Sequence, residues 1–197
     1  MGLKSSEHIG NILIHPENSD IVYVSAYGPL WNKGGDRGIY KTTDGGKSWK
    51  KILFIDEHTG FNEIHMDPRN PDVLYATSHQ RRRHVYTYVG GGPGSGIHKS
   101  LDGGNTWRKI NKGLPGVEIG RIGMDISDAN PEVMYAIVEA SERKGGFYKS
   151  TNRGESWQKQ SSKVTSGNYY QEIFADPVDV DVCLLYTSDA ADEVAGG

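Results

Sequence analysis

The chain has 197 residues, 26 of them glycine, with 36% hydrophobic residues and a formal charge of −3. That balance favours short strands joined by turns over long helices and gives no global reason to bind nucleic acid or an anionic membrane. No stretch approaches the ~18 apolar residues of a membrane span, Met1–His8 shows no apolar run of a secretory signal, and the lone Cys183 excludes an intrachain disulfide.

In chain order the sequence divides into units of four short strands, A to D. The first unit, residues 1–54, places strand A at Asn11–Ile14, B at Ile21–Ala26, C at Gly38–Thr42 and D at Ser48–Leu53. The second, 55–112, places A at Glu63–Met66, B at Val73–Ser78, C at Gly96–Ser100 and D at Thr106–Ile110. The third, 113–162, places A at Ile122–Ile126, B at Val133–Val138, C at Gly146–Ser150 and D at Ser156–Gln160. A fourth, 163–182, begins with A at Glu172–Ala175.

Two motifs define the units. Between A and B stand His15-Pro-Glu-Asn-Ser-Asp20, Asp67-Pro-Arg-Asn-Pro-Asp72, Ser127-Asp-Ala-Asn-Pro-Glu132 and Asp176-Pro-Val-Asp-Val-Asp181, turns in which proline fixes φ and Asx side chains close on the backbone. Between C and D stand Thr42-Thr-Asp-Gly-Gly-Lys-Ser-Trp49, Ser100-Leu-Asp-Gly-Gly-Asn-Thr-Trp107 and Ser150-Thr-Asn-Arg-Gly-Glu-Ser-Trp157. Asp-Gly between strands is a strong hairpin signal. Two ordered motifs recurring every ~50 residues fit one blade of a β-propeller per unit. The expected fold is all-β: a partial β-propeller of three four-stranded antiparallel blades plus the first strand or strands of a fourth.

The C-to-D motif has a structural job at each position. Asp44 and Asp102 accept from backbone N–H groups of the turn, Gly46, Gly104 and Gly154 take positive φ, and Trp49, Trp107 and Trp157 bury apolar area between sheets. In the third copy Asn152 replaces aspartate and Arg153 replaces the middle glycine, so a weaker version of the turn is expected there. Near-identical turns on successive blades do not share one catalytic or calcium site.

The pattern Ser/Thr-x-Asp-x-Gly-x-Ser/Thr-Trp resembles the Asp-box, or BNR repeat. With the Asp-Pro turns it is similar to a group of propellers that includes sialidase-like proteins, glycoside hydrolase family 74, sortilin and photosystem II assembly factors. The nearest resemblance is to large bacterial BNR-repeat or sortilin-like glycosyl hydrolases, carried by His79-Gln-Arg-Arg-Arg-His84, Gly120-Arg-Ile-Gly123 and Tyr169-Tyr-Gln-Glu-Ile-Phe-Ala-Asp-Pro177. It covers about residues 7–182 and implies a secreted or periplasmic protein of which this chain is a piece. The run Cys183–Glu193 breaks the pattern and resembles the translation of a transposase adapter used in sequencing libraries, so residues 183–197 are expected to be an artefactual tail.

The resemblance further implies that D-to-A and B-to-C connections share the rim that carries function, with the C-to-D turns toward the other. Two groups are candidates. At the inner strand starts, Glu63 and Glu172 stand in one column of the aligned repeats and form a candidate acid/base pair for a glycosidic bond, with Asn62, Arg121, Tyr169, Tyr170 and Gln171 around them. The alternative is that these groups line the channel without chemistry. In the B-to-C loops, Trp31 can stack on a sugar and His79, Arg81, Arg82, Arg83 and His84 can bind substrate; the alternative is a solvated charge run.

Other signatures fail. Gly90–Gly96 lacks the lysine and helix of a phosphate loop and reads as a flexible tip. His79 and His84 lack a zinc motif, and no nucleophile elbow occurs. Neither metal nor cofactor is expected. The expected partners are a glycan or peptide ligand and the remaining blades of the full-length chain. A carbohydrate-active propeller, a sortilin-like binding module and an assembly factor remain as functional readings.

Overall fold

The computed structural model describes residues 2–165 and 171–186. Its first sheet is the meander β1 (Ile9–Ile14), β2 (Val22–Ala26), β3 (Gly38–Thr42) and β4 (Lys50–Leu53). The second combines β5 (Thr59–Asp67), β6 (Asn70–Gln80), β9 (Gly96–Ser100) and β10 (Arg108–Lys109) in the same antiparallel order. Between its second and third strands it carries a separate small hairpin, β7 (Arg82–Arg83) and β8 (Tyr88–Val89). The third sheet is β11 (Ile119–Ile126), β12 (Met134–Ala140), β13 (Gly146–Ser150) and β14 (Gln158–Ser161). A two-stranded sheet follows, β15 (Glu172–Ala175) paired with β16 (Cys183–Tyr186). The fold is therefore all-β, a partial propeller of three complete blades and the start of a fourth.

Strand C of each blade has the bounds read from sequence, whereas strand A of blades 1 to 3 begins earlier than its apolar stretch. The fourth ladder runs on through Cys183–Tyr186, inside the segment expected to be a tail; residues 187–197 lie outside the described residues. One short 3-10 turn, Ser141–Arg143, interrupts the strands.

The blades are joined by three apolar layers, and the period of two explains why the centre of strand B is apolar on both faces. In β6 and the residue before its core, Leu74 and Ala76 point to the blade 1 side and pack with Tyr23, Ile39, Phe61 and Ile64. Val73 and Tyr75 point the other way and join Ile122, Met124, Met134, Ala136 and Trp157. Blade 3 repeats the alternation: Met134, Ala136 and Val138 face blade 2, while Val133, Tyr135 and Ile137 face Ile173 of β15. Each Val, Leu, Ile or Met among these side chains contributes roughly 1.5–3 kcal/mol through burial, so strand B is a main element holding neighbouring blades together.

Polar brackets repeat along the outer part of these layers. The Tyr23 hydroxyl and the Lys41 ammonium both donate to Gly103 O of the next blade's turn, at 3.4 and 3.0 Å. Tyr75 and Lys99 do the same to Arg153 O, at 3.4 and 2.9 Å. The inner strands approach so closely that a Cβ on Gly123 would lie 2.0 Å from Gln171 O, which leaves only glycine at that point of β11.

The C-to-D turns have the expected chemistry. Asp44 accepts from Ser48 N (2.9 Å) and the Ser48 hydroxyl (2.6 Å), and the Thr42 hydroxyl accepts from Gly46 N (3.0 Å). Asp102 repeats this with Thr106 at 2.8 and 2.6 Å. The third turn is not depleted. Asn152 accepts from Ser156 N (2.9 Å) and donates Nδ2 to the Ser156 hydroxyl (2.9 Å), reversing the direction of one bond without losing it. Arg153 holds φ +57°, where the other turns use glycine, and its guanidinium reaches buried Asp67 of blade 2 at 3.2 Å.

Candidate functional site

Each inner strand of the three complete blades carries a bulge in its first half, between Ile9 and Ile12, Phe61 and Glu63, and Ile119 and Ile122. A bulge bends the strand and re-aims the side chains beside it. Asn11, Asn62, Glu63 and Arg121 all stand at or next to these bulges. Together with Glu172, Phe174, His65 and Asp125 they line a cleft of about 230 Å³ between the inner strands of blades 1 to 4. Four of the residues expected at the channel, Asn62, Glu63, Arg121 and Glu172, are thus brought into one place.

Their engagements differ. Asn11 binds both backbone groups of Ile64, donating to its carbonyl and accepting from its N–H, each at 2.9 Å. In blade 2 two residues divide that work: Asn62 donates to Ile122 O at 2.7 Å and Glu63 accepts from Met124 N at 2.9 Å. In blade 3 the column holds Gly123, and Asp125 accepts from Ala175 N at 2.8 Å instead. Glu172 has no such duty among the described residues. It is half exposed, with Arg121 Nη2 at 3.8 Å.

His65 lies between the carboxylates, 3.3 Å from Glu63 Oε2 and 3.8 Å from Asp125 Oδ1. Burial lowers its affinity for a proton, but the Glu63 hydrogen bond and the two negative charges outweigh burial and raise its pKa. The arrangement can hold a proton on imidazole beside two carboxylates. His65 and Asp125 were missed in the sequence, although Glu63 and His65 are two apart on one strand and therefore share a face.

The second expected group divides. His79 is buried: its Nδ1 accepts from the Tyr27 hydroxyl at 2.5 Å and its Nε2 donates to Gly90 O at 3.0 Å. Burial, reinforced by Arg81 and Arg121 and opposed by the Gly90 carbonyl, lowers its pKa to about 3, so it is a neutral tie between loops with no ring nitrogen left for substrate. In the first group, Gln171 is fully buried, accepting from the Thr165 hydroxyl at 2.8 Å. Tyr169 and Tyr170 lie outside the described residues. Arg81, Arg82 and His84 line a separate cleft of about 240 Å³ with His58, Gln80 and Val89. Arg83 lies over Tyr88, and Trp31 is 53% exposed.

Two further features had no legible signal. Arg37 is buried in the blade 1 loop and donates to the carbonyls of Tyr27, Pro29 and Asn32. The glycine run is not a free tip: Gly92 N donates to Ile119 O of blade 3 at 3.0 Å, and Gly94 N donates to Gln80 Oε1 of its own blade at 3.0 Å. Beside it, a cavity of about 820 Å³ opens between Pro93, Lys109, Pro115–Ile119 and Glu142. Among the described residues no cluster of three or more His, Cys, Asp or Glu side chains has metal-binding geometry, and no helix is long and apolar enough to cross a membrane.

Blades of four antiparallel strands, stacked through apolar faces around converging inner strands, define the class as a β-propeller. No family model matches the chain. A xyloglucanase of Hypocrea jecorina (strain QM6a) is 26% identical over 173 residues, covering 82% of this chain and 18% of that protein. The solved xyloglucanase of glycoside hydrolase family 74 from Xanthomonas campestris gives a TM-score of 0.68 at 14% identity, over 91% of this chain and 27% of that one. A family 74 enzyme of Niastella koreensis gives 0.65 at 14% identity, over 91% and 28%. The blades are thus similar in fold to those of family 74 propellers, and the chain spans less than a third of the length of each of these proteins.

Proposed function

We propose that the chain is the part of an Asp-box propeller that contributes a glycan site, and that the full-length protein hydrolyses glycosidic bonds at the inner-strand cleft. The observation that carries this reading is the convergence of Glu63, Asp125 and Glu172 with His65 and Arg121 in one cleft. Glu172 is the accessible carboxylate, oriented by Arg121, and acts on the water or leaving oxygen. Glu63, hydrogen-bonded to His65 and to Met124 N, is its partner across the cleft. Carboxylates in pairs do this chemistry because one supplies a proton as the other withdraws one. The similarity to a xyloglucanase makes xyloglucan the first substrate to try.

The test is hydrolysis of xyloglucan and a panel of neutral and acidic polysaccharides by the full-length protein and its Glu63→Gln and Glu172→Gln variants. Each variant is expected to lose about 10²–10⁴-fold in kcat. Glu63→Gln is a clean probe because Asn11 shows that an amide accepts the equivalent inter-blade N–H, that of Ile64, one blade earlier. Unchanged rates in both variants would remove the pair from the mechanism. Peptide binding without glycan turnover would move the protein to a sortilin-like holding role.

A further inference from the structure

The B-to-C connection of blade 2 is cationic in a chain whose net charge is −3. Arg81, Arg82 and Arg83 are consecutive and half-buried. Arg69, Arg108, Arg121 and Arg153 each face a carboxylate. The three consecutive arginines pair with none among the described residues; Nε of Arg81 and Arg82 is buried without a hydrogen-bond partner, as it is in Arg121 and Arg153, so the missing carboxylate is what sets them apart. A guanidinium removed from water without a counter-ion is costly. Stacking offsets only part of that cost: the Arg81 guanidinium carbon lies 3.5 Å from the centre of the Tyr27 ring, and that of Arg83 lies 4.9 Å from the centre of Tyr88.

Aromatic side chains flank the arginines. Arg83 N donates to Leu30 O at 3.0 Å, which fastens the β7–β8 hairpin beside Trp31, the next residue of the blade 1 loop. His84 stacks on Tyr86, 5.6 Å between ring centres, and Tyr86 itself is exposed. The cleft of about 240 Å³ that Arg81 and Arg82 line is smaller than the ~300 Å³ at which drug-sized sites begin, a scale suited to one sugar unit or its charged substituent. Of the two tying contacts, Arg83 to Leu30 joins the hairpin to the blade 1 loop and Tyr27 to His79 joins that loop to the end of β6, so the patch is preorganised.

We propose that the Arg81–Arg82 cleft binds the carboxylate of a sugar acid, with Trp31 stacking on a neighbouring ring, so that the glycan taken by this propeller carries uronic acid units. The inference rests on the glycan reading above and narrows it to acidic glycans. Arginine suits the role because its planar fork meets a carboxylate with two parallel bonds.

Titration calorimetry of the purified full chain with oligogalacturonate, its fully methyl-esterified form, neutral xyloglucan oligosaccharide and inorganic phosphate tests this. The acid form is expected to bind about ten- to hundredfold more tightly than the ester, and Arg81→Gln/Arg82→Gln to abolish that difference. Trp31→Ala is expected to weaken acid and ester together. Should the double variant fail to fold, raising the salt on the unmodified chain takes its place: it weakens the acid form and spares the ester. Equal affinity for acid and ester, or displacement of the oligosaccharide by phosphate at equal concentration, overturns the proposal. Binding of neutral oligosaccharide with no advantage for the acid form overturns this inference and leaves the glycan reading standing. Binding of none of the three oligosaccharides brings down the glycan reading itself.

Discussion

The two ends of a blade obey different rules. At the C-to-D turns, three copies of one motif make nearly the same hydrogen bonds, and the side chains serve the turn that contains them. At the inner strand starts, equivalent positions hold Asn11, Glu63, Gly123 and Glu172. Only the first two accept the backbone N–H of the next blade, and Asp125 takes over that duty in blade 3. What repeats in this chain is scaffold. Where the column holds Gly123 the bracket passes to Asp125, so the inner strand starts vary in side chain while the tie between blades is kept.

The largest test of this contrast lies inside the repeat itself. Trp157 is buried in the layer between blades 2 and 3 and donates to Ile110 O at 3.0 Å, whereas Trp49, at the same motif position, is only half-buried. Trp157→Ala is expected to cost about 3–5 kcal/mol in denaturant unfolding, and Trp49→Ala less than half of that. Equal losses would mean that the tryptophan stabilises its own turn and not the junction of two blades.

Acid next separates the buried histidines of blade 2 from the C-to-D turns. Burial holds His79 at about pKa 3 and His98 at about 4, with Lys109 adding to the shift of His98. The unfolded chain takes up protons at these histidines near pH 6.5 and the folded chain does not. Their contribution is complete above pH 6.5 and declines as pH falls toward 4, by on the order of 1 kcal/mol per pH unit for each. The aspartate turns behave otherwise. Bonds from Thr106 and Ser100 hold Asp102 at about 2, so its contribution stands above pH ~3.8 and is lost only below that. Melting temperatures should therefore fall between pH 6.5 and 4 in the parent chain. They should fall much less in His79→Gln/His98→Gln, measured against that variant's own value at pH 7.

Blade architecture was open to reading from the sequence because turns and strand C depend on local chemistry. Gly38–Thr42, Gly96–Ser100 and Gly146–Ser150 are strands with the bounds that their motifs predict. Strand A was read short because its bulged first half contains Gly10, Gly60-Phe61-Asn62 and Gly120-Arg121, which break the apolar alternation. Aligning columns found Glu63 and Glu172, and a strict two-residue period would have added His65 and Asp125. Nothing local distinguished His79, a buried tie to Tyr27, from Arg81, two residues on in the cation cleft. That difference is set by pairing between loops of unequal length, which no repeat encodes.

The smallest effect bears most directly on what the repeat demands. Asn152 and the two aspartates satisfy the same neighbours, so the motif requires an oxygen toward the backbone N–H four residues on and a second polar atom toward the hydroxyl there. Either carboxylate or amide meets that requirement, because Ser156 reverses its role from donor to acceptor. Asn152→Asp should then change stability by no more than about 0.5 kcal/mol, as for substitutions that remove no buried contact. Arg153 sets the sign of what remains. It holds a positive φ beside the new carboxylate, and its guanidinium is engaged with Asp67 across the blade junction. A loss much larger than 0.5 kcal/mol would show that the third turn uses its amide for something the other two lack, and that this copy belongs with the divergent end of the blade.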